Sequence, residues 1–173
     1  MAITLYEASV LNHLQILAAM RGFLSKGYAH IQANDIDPKN IVEARLFADM
    51  QPFRFQVQMV TYHSLGAIDA IKLGEAAAPA LNQDDDYQAL QALTNKTLAT
   101  LEELAPKEVN SREGMEVIRG SGDNKRVFTA ENFLLSFALP NFYFHATTAY
   151  DILRSKGVPL GKRDFMGQLR VNQ

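Results

Sequence analysis

From Phe137 to Gly157 the chain reads FALPNFYFHATTAYDILRSKG, and its aromatic side chains fall on more than one face of any helix drawn through it. A helix that is apolar on several sides has to be covered on several sides. This segment therefore belongs inside a helical body, and a small excursion, the C-terminal tail or a second subunit must cover what neighbouring helices leave open. Phe142, Tyr143 and Phe144 are consecutive and cannot all point into one core, so a homodimer is the expected assembly.

Partners for such a segment are visible elsewhere. From about Thr4 to about Ile31, Val10, Leu14, Leu17 and Leu24 recur at helical spacing, with Gly22 and Gly27 weakening the second half. Asp37 and Pro38 supply a cap and a first-turn proline for a short helical piece reaching Leu46. A second long helix opens at Pro52 and runs through Phe53, Val57, Val60, Ala67 and Ile71 to Gly74. The acidic run Asp84 to Asp86 opens a third, striped by Leu90, Leu93, Thr97, Leu101 and Leu104 and stopped by Pro106.

Between Pro106 and Thr129 the period changes. Met115 to Ile118 and Arg126 to Phe128 look extended around Gly120 to Asp123, which predicts a two-stranded hairpin. Thr129 caps the last long segment, and Pro140 leaves two outcomes open: a kinked continuous helix, or a new one starting there. Gly157 is the expected left-handed terminator, followed by a tail too rich in Pro and Gly for a long helix. The expected fold is thus all-α, a four-helix bundle in one domain spanning 1–173, with a β-hairpin excursion between the third and fourth long helices.

Composition removes several classes of function. Apolar residues make up 47% of the 173, and 17 basic against 19 acidic side chains are interspersed, so there is no footprint for nucleic acid or an anionic membrane. Cysteine is absent, which excludes disulfides, thiolate nucleophiles and iron–sulfur ligation and agrees with a cytoplasmic protein. The opening MAITLYEASVLNHLQILAAM carries Glu7, Asn12 and His13 within its apolar part, so it reads as a first helix and not as a signal peptide or membrane span.

Histidines carry what chemistry remains. Asn141, His145, Thr148 and Ile152 share one helix face, and Gln56, Val60, His63 and Ala67 form a similar stripe on the second helix. Facing helices are where bundle metal sites are built. The functional reading is a divalent transition metal on His63 and His145, completed by Asn141, His13 or water; imidazole suits such ions, whereas an amide oxygen is a weak ligand. The bland reading makes His145 a hydrogen-bonded core residue, His63 a helix-flank residue and His13 a partly exposed one. An HxxxH pair would need histidine where Asn141 stands, so the spacing favours the bland reading and no cofactor. His30 reads as a basic group near a helix C-terminus, the aspartate run as a cap, and Gly120 to Arg126 as a turn lacking the GK[ST] ending of a phosphate loop.

The segment ALPNFYFHATTAYDILRSKGVPLGKRDF, Ala138 to Phe165, closely resembles the C-terminal signature of a bacterial family of unknown function within the DinB/YfiT-like metalloenzyme superfamily, and ARLFADMQPFRFQVQ, Ala44 to Gln58, resembles that family's approach to the second helix. The resemblance implies a four-helix bundle with an unusual crossover, often dimeric, and in many members a three-histidine centre with one ligand from the second helix and an HxxxH pair from the last. By position these ligands fall on His63, Asn141 and His145, so one of three is replaced. The resemblance thus implies a metal-dependent hydrolase or transferase with a degenerate nickel or zinc site; the alternative is a metal-free binding or stress-related homodimeric scaffold, in either case with an unidentified small-molecule ligand.

Overall fold

The computed structural model describes residues 2–171. The chain opens with α1 (Leu5–Ala8) and α2 (Val10–Ala33), which replace the single helix expected there. The break falls at Ser9, whose hydroxyl donates to Leu5 O at 2.6 Å and so competes with the helix ladder. After α3 (Lys39–Val42) come α4 (Phe53–Thr61), a π-helical turn (Tyr62–Gly66) and α5 (Ala67–Leu73), ended by Gly74 at φ 78°. Strand β1 (Glu75–Ala76) leads towards α6 (Tyr87–Glu102), whose N-cap Asp86 accepts from Ala89 N–H at 2.8 Å. Pro106 does not stop α6, which has already ended; it sits in the first turn of α7 (Pro106–Asn110), where its missing N–H is harmless.

Strands β2 (Glu116–Arg119) and β3 (Arg126–Thr129) pair antiparallel, and β1 pairs parallel to β2. The expected two-stranded excursion is therefore corrected to a mixed three-stranded sheet, and the fold to a mostly helical one carrying that sheet. Strand β1 is only two residues long, too short for any alternation to show in the sequence, and it is held by its neighbour. Thr129 caps α8 (Ala130–Asn132) through a 3.3 Å bond from Asn132 N–H. A second π-helical turn (Phe133–Ala138) then leads into α9 (Leu139–Ser155). The widened turn lies immediately before Pro140, where an ordinary α-turn would bring the proline ring against the carbonyl four residues back. The short α10 (Lys162–Met166) packs against α2.

The core is made by Leu17, Met20, Phe23 and Leu24 of α2, Val57 and Val60 of α4, Leu90 and Leu101 of α6, and Phe142, Ala146 and Leu153 of α9. Helix α4 packs on both α9 and α6, so its inward face is shared between two partners. Among the described residues no helix is long and apolar enough to cross a membrane.

Candidate functional site

His63 reaches the interior on the first π-helical turn, and the second π-helical turn presents Phe137 to it with ring centroids 5.4 Å apart. A π-turn inserts a residue into the helical register and so re-aims the side chains around it, which is why such turns recur at functional sites. His145 descends from α9, and the His63 and His145 rings lie 5.6 Å apart, 9° from parallel. Both imidazoles are buried, His63 at 2% and His145 at 8% exposure.

The protonation of His145 follows from its partner. Gln56 Nε2 donates to Gln51 O at 2.9 Å, which aims Gln56 Oε1 at His145 Nδ1, 2.7 Å away. An amide oxygen only accepts, so Nδ1 carries the proton and Nε2 carries the lone pair. A hydrogen-bond acceptor on one ring nitrogen is the usual way a protein fixes an imidazole whose other nitrogen does chemistry. The edges of Phe55 and Phe144 meet His145 at centroid distances of 5.8 and 5.2 Å and hold its plane.

Burial pushes His145 down to about 4. His63 falls to about 4 as well, first through burial, then through His145 and the Arg119 charge. Its Nδ1 is buried without a hydrogen-bond partner among the described residues. Arg119 stands on the sheet with its guanidinium carbon 4.5 Å from the centroid of Phe137. Tyr62, beside His63, donates its hydroxyl to Ala77 O at 2.7 Å; burial raises its pKa and the Arg119 charge opposes the rise.

The other two sequence candidates behave differently. Asn141 is half-buried and donates its amide N–H to Phe137 O at 2.8 Å, leaving Oδ1 as its donor atom for any ligand. His13 is fully buried, contrary to the partial exposure the bland reading gave it, and packs edge-on against Phe142 at 4.7 Å with neither ring nitrogen partnered among the described residues. Burial, and then the neighbouring His63, push it down to about 3.

Two imidazoles on one tetrahedral zinc, each nitrogen about 2.1 Å from the ion, have centroids roughly 5–5.5 Å apart. The His63–His145 separation of 5.6 Å lies near that spacing. Among the described residues, however, no group of three or more His, Cys, Asp or Glu side chains is arranged to hold a metal ion. The spacing suits two imidazoles on one ion whose remaining donors would be an amide oxygen or water, and the residues do not fit a closed three-histidine centre. A cavity of about 490 Å³ opens elsewhere, between Tyr28, Lys39, Glu43 and Asp84 to Asp86, and its lining includes none of these four residues.

Residues 5–166 match the family described as a domain of unknown function, DUF1993. The chain belongs to the DUF1993 family. The structure of this DUF1993 protein is similar to that of a DinB family member protein from Shewanella denitrificans, with a TM-score of 0.83 and 25% identity, over 98% of this chain and 95% of that one. Among curated proteins none matches it. The family read from Ala138 to Phe165 is thus shown.

Gln56 and Arg119 were not singled out by sequence. Gln56 occupies a core stripe where any side chain of its size is admissible, and only its spacing with His63 hinted at a shared face. Arg119 is an exposed strand residue, and only the packing of the sheet against the following π-helical turn brings its guanidinium to Phe137, so no local signal marks it.

Proposed function

We propose that this DUF1993 protein is a DinB-like four-helix bundle with an altered divalent-metal site, for nickel or zinc, in which His63 and His145 are the imidazole ligands and Asn141 Oδ1 or water completes the shell. What carries this reading is the pair itself: two neutral imidazoles 5.6 Å apart, with His145 Nε2 left as a lone pair by the Gln56 bond. A histidine held at about 4 is a poor general base near neutrality, since a catalytic base works best with its pKa close to the operating pH. The same depression keeps the lone pair free of protons, which is what metal ligation requires. His13 lies behind Phe142, and its own pKa is lowered by burial and then by the neighbouring His63.

An ion bound here would lower the pKa of a coordinated water or thiol, the chemistry of the metal-assisted hydrolysis or transfer that the superfamily resemblance implies. The chain's own contribution is orientation: Gln56 holds the His145 tautomer, while Phe55 and Phe144 restrict its ring.

Protein purified without a histidine tag is expected to carry nickel or zinc, or to take up close to one ion per chain, and to lose it on His145→Ala. Gln56→Leu keeps both imidazoles but removes the orienting acceptor, and uptake should weaken by roughly tenfold or more. Protein that neither contains nor binds either ion sinks the metal reading and leaves the second one, a metal-free binding or stress-related scaffold. That second reading is favoured by the absence of a third imidazole or carboxylate ligand among the described residues.

For the assembly, we read the outer side of α9 as a homodimer face, because Phe144 remains 56% exposed there next to Tyr143. Sedimentation or light scattering should give a dimer mass. A monomer mass that does not change with concentration would rule the dimer out.

A further inference from the structure

Arg119 is placed with more care than an exposed arginine needs. Its strand is clamped from both sides: Arg119 is in register with Ala76 of β1 and with Arg126 of β3. Its guanidinium lies over the face of Phe137, a cation–π contact that restrains a long side chain. Phe137 in turn meets His63, so the guanidinium, the aromatic ring and the imidazole form a short series leading into the site.

The charges around it do not balance. Arg119 and Arg126 stand directly opposite each other, and like charges at opposed positions of an antiparallel pair destabilise it. Arg126 satisfies part of its guanidinium on the turn carbonyls of Asp123 and Lys125, at 3.3 and 3.0 Å. The ion pairs among the described residues are Lys26–Asp164, Arg54–Glu43 and Lys72–Glu108, and Arg119 is in none of them. Glu75 and Glu116 share the sheet yet make no ion pair with it. The Arg119 charge also reaches His63, lowering its pKa after burial and the neighbouring His145.

We infer that Arg119 is the anion-binding residue of this site, seating the carboxylate or phosphate group of a small-molecule substrate beside His63, a role that rests on reading His63 and His145 as the working pair. A guanidinium presents a planar fork matched to two oxygens of either group. The bound anion relieves the Arg119–Arg126 repulsion, and the face of Phe137 fixes the approach.

The test is a titration of the intact protein with benzoate, phenyl phosphate and their neutral counterpart benzamide, followed through the NMR signals of the His63 ring and the arginine side chains. Both anions should saturate and shift His63, with benzamide at least tenfold weaker. Arg119→Gln should lower anion affinity at least tenfold with an unchanged circular dichroism spectrum and melting temperature, while Arg119→Lys, which keeps the charge but loses the fork, should fall between. Whichever of benzoate and phenyl phosphate binds tighter assigns the group. Benzamide binding as well as benzoate, or Arg119→Gln leaving anion affinity unchanged, overturns the assignment. Loss of the metal reading with Arg119-dependent anion binding intact would sink only the former, and metal uptake with no effect of Arg119→Gln only the latter.

Discussion

Gly27→Ala should destabilise the protein by about 2–3 kcal/mol, although alanine is the better helix former by about 1 kcal/mol. A Cβ at this position of α2 overlaps the Tyr87 hydroxyl and meets Leu153 Cδ2 at 3.3 Å. Tyr87 has nowhere to retreat. It is 1% exposed, its ring stacks between Tyr28 and Phe53 at 5.8 Å from each, and its hydroxyl donates to Leu24 O at 2.9 Å. Displacing it breaks that bond and strains the packing, which together outweigh the propensity gain. In a chain of this length the melting temperature should fall by roughly 5–10 °C. Gly22, on the same helix, has nothing within 4 Å of an added Cβ, so Gly22→Ala should be neutral or stabilising. In the Tyr87→Phe background, where the overlapping oxygen is gone, Gly27→Ala should cost markedly less. A Gly27→Ala protein as stable as Gly22→Ala would refute the account of α2–α6 packing.

Acidification from pH 7 to pH 5 should lower stability by about 2 kcal/mol through His13 alone, with His63 and His145 adding in the same direction. The folded state holds His13 at about 3, against 6.5 for the free side chain. Between these values the unfolded chain binds a proton that the folded chain refuses, so stability is fully present above about 6.5 and is lost progressively as the pH falls towards 3. His63 and His145, held at about 4, lose theirs over a narrower window. The carboxyls of Glu7, Glu108 and Glu131, which hydrogen bonds to backbone N–H groups hold below the usual range, act only at still lower pH. Urea denaturation of chelator-treated protein at a series of pH values measures the slope. His13→Leu should flatten it by close to one proton between pH 4 and 6, and should itself be tolerated, since it removes two unpartnered nitrogens from the core. An unchanged slope in that variant would mean that His13 ionises in the folded protein.

The features legible in the residues were the local ones. Asp86 and Thr129 as caps and Gly157 as a left-handed terminator each depend on hydrogen bonds or backbone angles within a few residues, and each is found where the residue type places it. The aromatic run of α9 required burial on more than one side, and Phe142 is indeed fully enclosed while Phe144 is left outside. The family signature from Ala138 to Phe165 also lies within one stretch of chain.

What depended on remote partners was not legible. The two π-helical turns follow from how α4, α5 and α9 must register against each other, and no residue type encodes a π-turn as glycine encodes a positive φ. Strand β1 exists because β2 lies beside it. The Gln56–His145 bond joins residues on different helices, and it alone decides which nitrogen of His145 carries the lone pair. His13 was assigned partial exposure because it flanks its helix stripe, but the docking of α9 places Phe142 over it and closes the core. The sequence by itself determined the main helical segments, some of their caps, the family and the residue types that bear chemistry, because those are set by short-range periodicity, capping and composition. Only the tertiary structure decided that His63 and His145 meet, that Gln56 orients one of them and that Arg119 lies over the Phe137 ring that meets the other, because each of these is a contact between surfaces brought together by packing.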